Sequence, residues 1–324
     1  MTKNWFKNSG PGTLVAAAFI GPGTVTLCTL AGVNFGFHLL WAMVLSIVAT
    51  IVLQEMASRL GIISQKGLSE VIRAEIKHPI INKLIMLLIL SAIVVGNASY
   101  EAGNISGGIL GLETITGELR IALGNYSLNV LSFVVGIIAF ILLYIGNYKF
   151  LERVLVMLVI IMSISFLITA FLTKPAISDV LIGALTPSFP EGSLLTIIGL
   201  VGTTVVPYNL FLHASLVKEK WNNPEDLKSV RKDTIISIAL GGLVSMAIII
   251  SASSIGLGEI SSAADLAKSL APLYGDFASY FLGIGLFAAG ITSAIEIIVS
   301  FLTDFKSSGL FHFSLTKDAC KNKL

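Results

Sequence analysis

The chain has 324 residues, of which 55% are hydrophobic and 12% charged, with a mean hydropathy of +0.89. Soluble domains carry roughly 25% charged residues. The 21 Lys and Arg and 19 Asp and Glu therefore exclude a disordered chain and argue against a nucleic-acid-binding domain or an ordinary soluble enzyme. Cys28 and Cys320 do not form a disulfide framework, and the net charge of +2 says little until the charges are placed.

A helix crosses the hydrocarbon core with about 20 mostly apolar residues. Eight segments meet that need: roughly 10–33, 37–60, 82–108, 126–146, 154–173, 193–216, 234–256 and 280–303. None alternates as a membrane barrel strand would. The expected fold class is therefore all-α, a polytopic membrane protein. The first segment follows Lys3 and Lys7 but has no convincing cleavage site, so it reads as a helix and not as a signal peptide. With the N-terminus placed in the cytoplasm, 18 of the 21 Lys and Arg fall inside, and Arg120, Lys174 and Lys268 fall outside. That asymmetry places both termini in the cytoplasm. The basic loops 61–81 and 217–233 are then internal. In the second, Asn223-Pro224 starts a turn, with Glu225 and Asp226 in its first turn. Segments 174–192 and 257–279 are external, and 261–275 is expected to form a short surface helix. Trp41, Tyr144 and Tyr148 read as interface anchors. Gly241, Gly242, Ala288, Ala289 and Gly290 read as close-packing positions. Cys28 reads as a small packing residue, and His38 as interfacial.

Two spans are interrupted. The first carries Gly21, Pro22 and Gly23 mid-span, and the sixth carries Pro207 with Thr203, Thr204 and Asn209 nearby. Proline lacks an N–H and clashes with the preceding turn, so both spans should unwind there. Unpaired backbone inside a bilayer is tolerated only where it lines a protein interior or wet cavity. Breaks in the first and sixth spans are the spacing that five-helix inverted repeats produce, with substrate held between them near the midplane. On this reading residues 1–175 are a first five-helix repeat, 176–304 a partial second repeat of three helices, and 305–324 a cytoplasmic tail. The second repeat falls short of five spans. A chain truncated after the eighth helix and a native eight-span protein both remain open.

Ionisable residues within the spans are few, and a charge at midplane is a functional candidate by default. Glu55 sits four residues before Arg59, which suits an interfacial ion pair. Glu101 shares a helix face with Asn97 and is followed by Asn104, a polar stripe expected to face the bundle interior. Glu296 follows Thr292 and Ser293 by about a turn. A buried carboxyl can take up and release a proton, so Glu101 and Glu296 are candidates for a proton pathway. Interhelical hydrogen bonding is the competing reading for each.

Residues 10–36, GPGTLVAAAFIGPGTVTLCTLAGVNFG, resemble the first helix of the NRAMP divalent metal transporters. Residues 202–213, GTTVVPYNLFLH, are similar to the family's sixth helix, and 282–295, LGIGLFAAGITSAI, to its eighth. The resemblance implies the inverted-repeat, LeuT-like transporter fold with an incomplete second repeat, and proton-coupled inward movement of manganese, iron and related ions. This sequence departs from the family at both breaks. The family's first break reads Asp-Pro-Gly-Asn, but here Gly21-Pro22-Gly23-Thr24 lacks the carboxylate. The sixth reads Met-Pro-His-Asn, but here Val206-Pro207-Tyr208-Asn209 lacks the thioether. Pro207, Asn209 and His213 match. By resemblance His213 corresponds to a histidine linked to proton passage.

The candidate substrate site is thus the region of Gly21, Thr24, Thr204, Tyr208 and Asn209, with Thr24 and Asn209 as metal ligands and Pro22, Gly23 and Pro207 as the breaks. Such a nearly neutral oxygen site departs from the anionic or soft donors that hold manganese tightly. The leading expectation is a secondary active transporter moving a divalent cation by alternating access around the two breaks, with protons as coupled species. A same-fold carrier of a non-metal solute such as an amino acid, and a non-transporting or degenerate membrane protein, are the alternatives. The expected surroundings are the lipid bilayer of the plasma membrane. No enzyme activity, cofactor, nucleic acid or obligate protein partner is expected, and no nucleotide-binding loop is present.

Overall fold

The computed structural model describes residues 21–123, 126–145, 149–221, 223–255 and 263–308. Helix α1 spans Pro22–Phe35, α2 Leu40–Ser64, α3 Leu68–Glu75 and α4 Pro79–Thr116. A two-stranded antiparallel hairpin follows, β1 Arg120–Leu123 and β2 Tyr126–Asn129, with Arg120 opposite Asn129. Then come α5 Val130–Ile145, α6 Lys149–Leu172, α7 Ile177–Leu185, α8 Leu194–Thr204 and α9 Pro207–Lys220. A 3-10 turn at Pro224–Asp226 leads into α10 Leu227–Ile255. Two short helices, α11 Ala263–Ala267 and α12 Ala271–Tyr274, precede α13 Ala278–Ser308.

Among the described residues, six stretches are long and apolar enough to cross a membrane: Leu40–Ser64, Pro79–Thr116, Arg153–Leu172, Leu194–Lys220, Pro224–Ser253 and Asp265–Ala294. They match the expected second, third, fifth, sixth, seventh and eighth spans. The fourth is the shorter apolar helix α5, of 16 residues. The first is described from Gly21 onward. Large apolar side chains point away from the protein along these helices; Phe171 is 84% and Phe140 68% exposed. Such surface is stable only in lipid, and the chain is an integral membrane protein.

The helices pack in two sets. In one, α10 lies against α1 and α2, and α2 against α9; in the other, α13 lies against α4 and α6. The sets are linked by α10 against α6, by α9 against α13, and by α4, which meets both α1 and α9. Small residues permit the closest approaches. A Cβ on Gly111 of α4 would meet the Gly283 carbonyl of α13 at 2.6 Å, and one on Gly283 would meet the Gly111 carbonyl at 2.6 Å. Gly290 comes against Asn104 and Gly108, and Ile47 fills the space at Gly242, so two of the expected packing glycines lie at helix crossings. Cys28 is fully buried in the main apolar core with Met43, Phe166, Leu200 and Ile248.

Three expectations are corrected. Residues 126–129 form a strand, not the start of the fourth span; Asn129 Oδ1 accepts from the Leu131 amide at 3.0 Å and begins the helix there. The third helix runs 38 residues, longer than 82–108, because Pro79 starts it after His78, whose Nδ1 accepts from the Ile81 amide. The short helix expected over 261–275 is, within the described residues 263–274, two short helices with one face at the surface, where Lys268, Ala271 and Pro272 are exposed, and the other in the core. Leu266, Ala267 and Leu270 are buried in the main core, and Tyr274 hydroxyl lies 2.6 Å from Ser165 Oγ. The turn at Pro224–Asp226 forms as expected, with Asn223 Oδ1 accepting from the Glu225 amide at 3.1 Å.

Candidate functional site

The sixth span is two helices. α8 ends at Thr204, Val205 and Val206 leave the helical region, and α9 restarts with Pro207 in its first turn. Proline cannot donate to the turn before it, so the chain unwinds where Pro207 stands. Most carbonyls at this end of α8 have partners. Leu200 O accepts from the hydroxyls of Thr203 and Thr204, Val201 O from the Val205 amide, and Thr204 O from the Val206 amide. Gly202 O accepts from the hydroxyl of Tyr100 on α4, at 2.5 Å.

α1 begins at Pro22, after Gly21 in extended backbone, and Gly21 O accepts from the Val25 amide at 3.2 Å. Gly23 is exposed, and Thr24 is buried. Pro22 rests on Gly107 of α4, in space that any side chain at 107 would fill. Tyr208, in the first turn of α9, sets its ring edge-on to Tyr100 with centroids 5.6 Å apart. α4 therefore meets the opening turns of both α1 and α9. Thr24 and Tyr208 are already engaged in contacts of their own.

The stretch of α4 that meets these turns carries the polar stripe. Asn97 and Asn104 are buried, and Glu101 is half-buried between them. Most buried polar atoms in native proteins have hydrogen-bond partners. Here both amide atoms of Asn97, both of Asn209 and Oε2 of Glu101 are buried without one. Asn209 is 1% exposed. Asn209 adjoins Tyr208 in the first turn of α9, and Asn97 and Glu101 lie within one turn of Tyr100 on α4, so the Tyr100–Tyr208 contact joins the two turns that carry them. Among the described residues no three His, Cys, Asp or Glu side chains converge on a metal-sized site. The polar side chains near the second break are carboxamides, tyrosine hydroxyls and one carboxylate.

His213 lies one turn beyond Asn209 and is completely buried. Its Nδ1 is 2.8 Å from Gln54 Oε1 of α2, and its Nε2 is 3.4 Å from Thr234 Oγ1 of α10. It therefore joins three helices and does not sit with Glu101. Thr204 is buried and spends its hydroxyl on Leu200 O, with Met43 Sδ at 3.8 Å. Glu296 falls on α13, and its side chain lies outside the described ones. Glu55 pairs with Arg59 at 3.8 Å as the spacing implies, and more closely with Arg231 of α10 at 2.5 Å. Tyr100, Gln54 and Thr234 were not legible as site neighbours. Tyrosine, glutamine and threonine in apolar spans carry no spacing signal, and only the packing of α4, α2 and α10 brings them to the breaks.

The family described as natural resistance-associated macrophage protein-like matches residues 12–318. A divalent metal cation transporter MntH of Verminephrobacter eiseniae is 28% identical over 315 residues, covering 92% of this chain and 69% of the relative. A natural resistance-associated macrophage protein 2 homolog of Dictyostelium discoideum is 28% identical over 301 residues, covering 88% of this chain and 46% of the relative. The fold is that of a crystal structure of a mutant manganese transporter of Eremococcus coleocola, with a TM-score of 0.73 at 19% identity, over 97% of this chain and 68% of that one. The same transporter in complex with an aromatic bis-isothiourea compound gives a TM-score of 0.70 at 21% identity.

Proposed function

We propose that this chain, which belongs to the natural resistance-associated macrophage protein-like family, is a secondary active transporter of divalent metal cations. The two repeats, residues 1–175 and 176–304, hold the cation between the breaks at Pro22–Gly23 and Pro207. One observation carries the placement of the site. Around the second break, Asn209 and Glu101 keep buried polar atoms without partners on two elements that touch. A bilayer protein pays to bury such groups, and an ion or its hydration water supplies what they lack.

The roles follow from position. Asn209 offers its carboxamide oxygen directly to the cation. Thr24 and the Gly21 carbonyl face it from α1, and Tyr208 and Thr204 shape its wall. Glu101 is the one carboxylate on the stripe and exchanges protons with the site. His213 passes a proton onward between α9, α2 and α10. Glu296 belongs to the same pathway on the resemblance to the family's eighth helix. The site lacks the carboxylate and thioether that the family places at positions 21 and 206, so it favours ions that keep part of their water. In this reading the chain sits in the plasma membrane with both termini in the cytoplasm, an orientation that its Lys and Arg distribution supports.

The test is equilibrium binding of Mn²⁺ and Mg²⁺ by the purified chain, with Asn209→Ala and Glu101→Gln. Saturable binding weakened by Asn209→Ala supports the site. Wild-type protein that is folded and binds neither ion overturns it.

A further inference from the structure

Asn97 is the residue of α4 outside the site as assigned whose buried side-chain atoms lack partners. It is 5% exposed, midway along a 38-residue helix, and neither Oδ1 nor Nδ2 has a partner. An unpaired buried amide is unfavourable, and an apolar side chain would serve packing better. Glu101 stands one turn further on, also with an unpaired oxygen. Tyr100, between them, bonds to Gly202 O and touches Tyr208, the neighbour of Asn209. That clasp holds the turn of α4 bearing Asn97 and Glu101 against the first turn of α9 bearing Asn209. Three side chains with unpaired oxygens thus come from two elements fixed in register.

We propose that Asn97 is a ligand of the carried cation, through Oδ1, and that with Asn209 and Glu101 it forms an all-oxygen donor set. This rests on the transport reading above. Carboxamide and carboxylate oxygens suit hard ions such as Mg²⁺ and Mn²⁺, whereas thiophilic ions such as Cd²⁺ gain little from them. The carboxamide of Asn97 thereby supplies from α4 a side-chain donor that neither Gly21 nor Val206 can offer. Its Nδ2 donates to water that the ion retains.

The test is Mn²⁺ titration calorimetry on the full chain in detergent, with Cd²⁺ as the soft competitor, for wild type, Asn97→Ala, Asn97→Asp and Asn209→Ala. An unfolding midpoint confirms each variant's fold. Asn97→Ala should weaken Mn²⁺ about tenfold or more while moving Cd²⁺ much less, so the Mn²⁺-over-Cd²⁺ preference falls. Asn97→Asp keeps the shape and adds charge, and should bind Mn²⁺ more tightly than wild type. Should Asn97→Ala fail to fold, Asn97→Asp decides alone, since a ligand position tightens with charge. Unchanged Mn²⁺ affinity in both Asn97 variants, with Asn209→Ala weakened, overturns the role of Asn97 and leaves the transport site standing. Absence of Mn²⁺ binding to folded wild type overturns both.

Discussion

The hydroxyl of Tyr100 donates to the Gly202 carbonyl at 2.5 Å, joining α4 to the last turn of α8 just before the chain unwinds. The same ring meets Tyr208 just after the break. One residue therefore holds both sides of the broken helix. Tyr100→Phe keeps the ring contact and strands the carbonyl. A lost hydrogen bond of this kind costs about 0.5–1.5 kcal/mol, so the unfolding midpoint should fall by a few degrees. Tyr100→Ala removes both contacts and should fall further. Thermal unfolding in detergent compares the two.

Gly111 and Gly283 set the contact between α4 and α13. At either position a Cβ would meet the other residue's carbonyl at 2.6 Å. Backbone cannot yield as a side-chain tip can, so Gly111→Ala must separate the helices. Overpacking typically costs about 1–3 kcal/mol, and Asn97 and Glu101 would shift with α4. Gly136→Ala is the control, because nothing lies within 4 Å of its added Cβ. The first variant should lower the unfolding midpoint and Mn²⁺ affinity together, and the second neither.

Glu55 pairs with both Arg59 and Arg231, and so ties α2 to α10 beside the small apolar cluster of Ile62, Val217 and Val230. Both arginines are about half exposed, at 43% and 45%, and solvent weakens the pairs. Glu55→Gln should therefore cost no more than about 1 kcal/mol. Its signature is salt: raising ionic strength should lower wild-type stability and leave the variant nearly unchanged. Equal salt dependence in both proteins would remove the ion pairs from the account.

Gln54 and His213 form the buried bond between α2 and α9, at 2.8 Å. Gln54→Leu fills the space and leaves an imidazole nitrogen unpaired in the interior. That loss costs about 1–3 kcal/mol, and His213 loses the group that fixes its ring. Gln54→Leu should lower the unfolding midpoint. It should also slow proton-driven uptake more than it lowers Mn²⁺ affinity, which uptake and binding measured side by side will show.

Much of this architecture was legible in the residues. Pro207, read together with the matching interruption at Gly21–Gly23, predicts the break that separates α8 from α9, and the i, i+4 spacing of Asn97 and Glu101 predicts a polar face on α4. The hairpin at 120–129 was not, because Tyr126–Asn129 adjoins an apolar run and joins it by hydropathy. The buried face of 263–274 was hidden for the opposite reason: Asp265 and Lys268 mark a solvated helix, yet Leu266 and Leu270 on its other side face the core. The partners of His213 were hidden because Gln54 and Thr234 lie 159 and 21 residues away and meet it only through helix packing. Local signals place breaks and stripes, whereas contacts between distant helices require the fold.

The central claim is that a divalent cation crosses this chain between its two helix breaks. Uptake into proteoliposomes loaded with a metal-sensitive dye tests it directly, with Mn²⁺ and Mg²⁺ outside, with and without a pH gradient, for wild type and Asn209→Ala. The account predicts saturable uptake by wild type, faster when protons are also driven inward, and a loss of about tenfold or more in apparent affinity for Asn209→Ala. Wild-type uptake no greater than protein-free vesicles, or uptake untouched by Asn209→Ala, would contradict it.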